Sequence, residues 1–198
     1  MFSCIHTLIG GFLQNYSSPE NGLPGIEYEL KKLYTNCSED LTEVAYHQWL
    51  IDPKDYVRRC VRFGFDRDKK QMAKIQLVGY SFGAQTVQNM LMEYHALQIP
   101  VQKVILIDPV RRDSRYPWGY LQAFNRFARF IIPSNVQDVT VFYQRQNWPR
   151  GHRVETLAGS DTVLQRHELH LDHTICDNAP IVRRMILQQA EALHKEKL

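Results

Sequence analysis

Apolar residues fall along this chain in two alternating patterns. Short apolar stretches at Phe2 to Ile9, Ile75 to Tyr80, Val104 to Ile107 and Val139 to Gln144 have the length of strands. Glu43 to Leu50 mixes polar and apolar positions and is expected as a further strand. Between these runs, apolar residues recur at helical spacing. Ile26, Leu30, Leu33 and Tyr34 form one such face, and Tyr56, Val57, Cys60 and Val61 a second. Phe82, Val87, Met90, Leu91 and Tyr94 form a third; Trp118, Leu121, Phe124, Ala128 and Ile131 predict a fourth helix; the last helix, Ala179 to about His194, has Ile181, Met185, Ile186 and Leu193 among its apolar positions. Asp52-Pro53 predicts a helix start, with aspartate as cap and proline in the first turn. Gly64 to Lys70 is expected as a charged surface connection, and Pro149 to Leu171 as an irregular or hairpin segment.

Strands thus alternate with helices, and the middle strands are apolar throughout. That pattern predicts a three-layer α/β sandwich: a mostly parallel sheet of about five strands with helices on both faces, residues 1–198 forming one domain. Ligands in such sheets bind at the carboxyl ends of the strands. Three loops leave such ends: Gly10 to Phe12, Tyr80 to Phe82, and Asp108 to Arg112.

Composition narrows the function classes. Hydrophobic residues make up 44% and charged residues 23%, ordinary for a soluble globular protein. A net charge of +3, with no long Lys/Arg block, gives no footprint for nucleic acid. Met1 to Leu13 is apolar but lacks a basic flank and is too short to span a bilayer, so no stable membrane insertion is expected. Cys4, Cys37, Cys60 and Cys176 are scattered without a Cys-x-x-Cys pair, which predicts thiols in a reducing, cytoplasmic compartment.

The candidate chemistry centres on Gly79-Tyr80-Ser81-Phe82-Gly83, which joins a predicted strand to a predicted helix. A serine on that turn is a candidate nucleophile. A hydroxyl needs a base, and a histidine base needs an orienting carboxylate. Asp108, directly after the next strand, and His173, in the loop before the last helix, supply them in the order Ser…Asp…His. His170 is the reserve base, and Glu155 and Asp161 are substitute acids. The backbone N–H of Phe82 and that of Gly11 or Phe12 are the candidate oxyanion donors, worth about 3–4 kcal/mol each. Tyr80 and Trp118 are candidates for substrate contact; Trp118 on the buried face of a helix is the plainer alternative.

These residues resemble the α/β-hydrolase fold in a small form. Gly79 to Gly83 is similar to that family's nucleophile elbow, and Ile105-Leu-Ile-Asp108-Pro109 resembles the lipase pattern in which the acid follows the strand after the nucleophile. Ile9-Gly10-Gly11-Phe12 is similar to the oxyanion segment, with Gly-Gly in place of His-Gly. The resemblance implies a chain that begins at the family's third strand, as in cutinase-like members. It also implies a serine hydrolase acting on a small-molecule carboxylic ester or thioester, with no metal or organic cofactor.

Two other assignments stay open. Glu168-Leu-His170-Leu-Asp172-His173 resembles a metallo-hydrolase ligand run with its first histidine replaced, and His167-Glu-Leu-His170 is one residue short of a zinc-protease motif. A non-catalytic relative acting as an interaction module is the second, since three residue types do not establish their geometry.

Overall fold

The computed structural model describes residues 2–12, 21–34, 41–66, 71–112 and 119–195. The chain begins with β1 (Phe2–Gly10), α1 (Gly22–Tyr34), β2 (Leu41–Gln48) and α2 (Pro53–Gly64). A two-residue ladder follows, β3 (Phe65–Asp66) against β4 (Gln71–Met72), and then β5 (Lys74–Tyr80), α3 (Gly83–Ala96) and β6 (Val101–Ile107). The second half holds a 3-10 turn (Gly119–Phe124), β7 (Arg129–Ile132), β8 (Val136–Gln144), β9 (Arg153–Thr156), β10 (Val163–Leu169), a second 3-10 turn (His173–Asn178) and α4 (Pro180–Lys195).

Six strands form one sheet in the order β10-β8-β6-β5-β1-β2, every neighbouring pair parallel. Parallel neighbours need crossovers, and the helices supply them. On one face Ile5, Ile75, Leu77, Val104 and Leu106 pack against Val57 of α2 and Val87, Met90 and Leu91 of α3. On the other, Leu8, Val78, Ile105 and Phe142 pack against Ile26 and Leu30 of α1 and Val182 and Ile186 of α4. The strands are buried on both faces, so their sequences read as continuous apolar runs. Asp52 caps α2 as expected, its carboxylate accepting from Lys54 N at 2.9 Å and Asp55 N at 3.2 Å. Among the described residues no helix is long and apolar enough to cross a membrane.

The sheet expected at about five strands has six. Three other sequence expectations are corrected. The sixth, β10, lies in the segment expected to be irregular; as an edge strand it leaves Gln165, Arg166 and Glu168 in solvent, so its sequence lacks an apolar run. The helix expected over Trp118 to Ile131 is, from Gly119 onward, a 3-10 turn followed by β7, which pairs with β9. Its helical spacing was coincidental: Phe124 and Phe127 are exposed, whereas Phe130 and Ile132, two residues apart, are buried against α3. Finally, Leu33 points outward rather than sharing the face of Ile26 and Leu30; the buried stripe of α4 is Val182, Ile186, Ala190 and Leu193.

Candidate active site

The pairing register brings Gly79 level with Leu106, and Ile107 level with both Tyr80 and Phe142. The loops after β1, β5, β6 and β8 therefore leave the same edge of the sheet. Ser81 stands where β5 turns into α3, with φ 52. A left-handed conformation is unfavourable for a non-glycine residue and persists only where surroundings hold it. Here Ser81 N donates to Ile107 O at 3.0 Å, while Ser81 O accepts from Ala84 N and Val110 N, each at 3.1 Å. Gly83 permits the turn. A Cβ there would lie 2.8 Å from Gly10 O and closer still to Ile9 O, so only glycine lets α3 start against the end of β1.

Asp108, at the end of β6, is likewise held in the left-handed region, φ 40, and is fully buried. Its Oδ1 accepts from Gly151 N at 2.8 Å and Gln144 N at 3.3 Å. Its Oδ2 faces His173 Nδ1 at 2.5 Å. The other ring nitrogen, Nε2, lies 2.8 Å from Ser81 Oγ. A carboxylate only accepts, so Nδ1 carries the proton and Nε2 presents its lone pair to the hydroxyl. The chain Ser81–His173–Asp108 can thus take a proton from Oγ and stabilise the resulting imidazolium.

The histidine is fixed at both backbone groups. Its N–H donates to Asn147 Oδ1 at 2.9 Å, and its carbonyl accepts a short hydrogen bond from the Tyr80 hydroxyl. Tyr80, a candidate for substrate contact, is buried beside the ring of His173 and holds that residue's carbonyl. Burial raises the Tyr80 phenol well above its usual range, so it stays a donor. Burial, then the carboxylates of Asp108, Asp177 and Asp172, push the Cys176 thiol up to about 12, which keeps it protonated and no rival to Ser81. Burial likewise lowers His152, whose Nδ1 accepts from Arg111 N at 2.8 Å in the loop after Asp108.

Phe82 caps the start of α3, and neither its N–H nor that of Phe12 bonds to another group among the described residues. A Cβ placed on Gly11 would lie 2.8 Å from Ser81 Cβ, so the loop after β1 runs directly beside the serine. The rings of Phe12, Phe82 and Trp49 surround one another at centroid distances of 5.9–6.2 Å, and Arg112 lies 3.8 Å over Trp49. Trp118 lies outside the described residues.

The reserve residues go elsewhere. His167 stacks on Phe142, His170 is exposed, and Glu155 pairs with Arg129 at 3.2 Å and Arg153 at 2.9 Å. Asp161 is exposed. The late histidines therefore do not converge as a ligand set. Among the described residues, the His/Cys/Asp/Glu group spaced for a metal is Cys4, His6 and His194. Sequence reasoning missed Asn147, Gly151 and Trp49. Trp49 had a usable signal, since it follows β2 at the carboxyl edge; the others act through a side-chain amide or a backbone N–H and had none.

No family model matches the sequence, and no curated protein does. Solved structures do resemble the fold. A protein of Agrobacterium vitis S4 assigned as a hydrolase matches with TM-score 0.52 at 13% identity, over 96% of this chain and 88% of that one. An arylesterase matches with TM-score 0.52 at 12% identity, over 98% of this chain and 75% of its own. The thioesterase domain that cyclises the lipopeptide antibiotic surfactin matches with TM-score 0.50 at 11% identity, over 99% and 94%.

Proposed function

We propose that this chain, which has the α/β-hydrolase fold, is a serine hydrolase that cleaves a carboxylic ester or thioester through an acyl-enzyme on Ser81. The observation that carries this is the continuous contact from Ser81 Oγ through His173 to the buried Asp108, 2.8 Å and 2.5 Å, built on two residues held at positive φ. Three residue types met on unrelated loops seldom align so by chance.

In this mechanism His173 Nε2 removes the Ser81 proton as Oγ attacks the carbonyl carbon. The oxyanion takes hydrogen bonds from Phe82 N–H and from the N–H of Gly11 or Phe12, at the open end of α3. Collapse breaks the bond to the alcohol or thiol, which leaves with the proton from His173. Water, deprotonated by the same nitrogen, then releases the acid and restores Ser81. Asp108 holds the ring and balances its charge throughout, and no metal or organic cofactor enters. The Phe12, Trp49 and Phe82 rings offer an apolar shelf for an acyl or aromatic group. The names of the arylesterase and thioesterase that share the fold favour the same substrate classes. Cys4, Cys60 and Cys176 are buried thiols, which supports a reducing compartment.

The test is intact mass after incubation with a fluorophosphonate. One adduct on wild type and none on a folded Ser81→Ala variant is expected. A folded wild-type protein that takes no adduct overturns the hydrolase assignment and leaves the interaction-module alternative.

A further inference from the structure

We propose that Cys4, His6 and His194 form a zinc site that ties β1 to the last turn of α4. Cys4 and His6 are two residues apart on β1 and so project from the same face of the sheet, the one covered by α1 and α4. His194 reaches them from α4. The thiol sulfur and one nitrogen of each ring all lie within 4.8 Å of one another.

The two histidines, which contact each other directly, are also spaced as a pair of zinc ligands. His6 Nε2 lies 3.2 Å from His194 Nε2. Two imidazole nitrogens on a tetrahedral zinc, each at roughly 2.05 Å, stand roughly 3.3 Å apart, so this pair needs almost no movement to accept the ion. A thiolate and an imidazole on the same ion stand roughly 3.6 Å apart, within reach of the observed cluster. The tautomer of His6 is set by its neighbour. Gln76, itself fully buried, donates its amide Nε2 to Ile186 O at 3.1 Å, which turns its oxygen to His6 Nδ1 at 2.7 Å. Nδ1 therefore carries the hydrogen, and Nε2 turns its lone pair towards His194 Nε2, where it is free to take an ion in place of that contact. A ligand histidine typically donates its other N–H to an oxygen acceptor in this way. The His194 ring is held by Tyr34, which stacks on it at 3.9 Å, with the rings 16° from coplanar.

One sulfur and two imidazole nitrogens select zinc over magnesium or calcium, which take oxygen ligands. Three protein ligands leave a fourth position for water, and the half-buried His194 provides the way in. The site is separate from the hydrolase centre. His6 and Gly10 are roughly 13 Å apart along β1, and Ser81 sits at the Gly10 end. The ion would staple the carboxyl-terminal helix to a central strand.

The full chain, stripped with a chelator, is titrated with cobalt(II) and then zinc. The expected result is one equivalent of cobalt with a thiolate charge-transfer band, displaced by zinc. Melting temperature should rise by roughly 5–10 °C at zinc a hundredfold above Kd. His194→Gln, on the half-buried ligand, should weaken binding by roughly a hundredfold or more while the apo protein stays folded. Cys4→Ser should abolish the charge-transfer band. No saturable uptake by the folded wild-type protein overturns the proposal. So does uptake unchanged in both variants, which would place the ion elsewhere. Fluorophosphonate labelling of Ser81 is expected with and without zinc, so the two proposals fail independently.

Discussion

Asp108→Asn should remove nearly all turnover while leaving the protein folded, and the structure specifies how. Oδ1 is pinned by two backbone donors, Gly151 N at 2.8 Å and Gln144 N at 3.3 Å. An asparagine must put its carbonyl oxygen there, because its NH2 would face two N–H groups and forfeit both bonds, about 0.5–1.5 kcal/mol each plus the penalty of leaving buried donors unpaired. The NH2 then takes the place of Oδ2, 2.5 Å from His173 Nδ1. It can only donate, so Nδ1 must give up its hydrogen and Nε2 must acquire one. His173 then offers Ser81 an N–H where a lone pair is needed, and no base remains. A wrong tautomer of this kind lowers kcat by about 10³–10⁴, or about 4–5.5 kcal/mol in the barrier. The assay is kcat and kcat/KM on an activated ester such as p-nitrophenyl acetate, with circular dichroism to confirm the fold. A folded variant within tenfold of wild type would refute the assignment, as would an equal loss in Glu155→Gln or Asp161→Asn instead.

Gly83→Ala should destabilise the fold by about 1–3 kcal/mol, since the new methyl would meet Ile9 O and Gly10 O and force α3 away from β1; an unchanged melting temperature would contradict the packing described. His152 supplies a pH test. Burial lowers its pKa in the folded protein, so between that value and the ordinary pKa near 6.5 the unfolded chain binds more protons. Its contribution is therefore complete above about pH 6.5 and is lost as pH falls through the folded-state pKa. Urea melts at pH 7.5 and 5 should show wild type losing more stability than His152→Gln over that interval; equal losses would show that the bond from Arg111 N to His152 Nδ1 is not what protonation breaks.

Much of this protein was present in the one-dimensional pattern. Central strands buried on both faces must be apolar throughout, so β5 and β6 announced themselves, and with them the parallel sheet. Because parallel strands all end at one edge, Ser81 and Asp108 could be placed together from their positions after successive strands alone. His173 was legible as the histidine nearest the last helix, although nothing local marked it over His167 or His170. What escaped depended on contacts between distant segments. β10 is an edge strand whose membership comes from hydrogen bonds to β8, and β7 exists because β9 lies beside it. The roles of Tyr80, Asn147 and Gly151 are set by which atoms meet in space: a phenol under a carbonyl, an amide at a backbone N–H, a missing Cβ next to Asp108 Oδ1. Local sequence decides which residues are apolar and where the chain can turn. Hydrogen-bond partners across 65 to 93 residues are decided only when the sheet closes, as the Asp108–His173 and Tyr80–His173 pairs show.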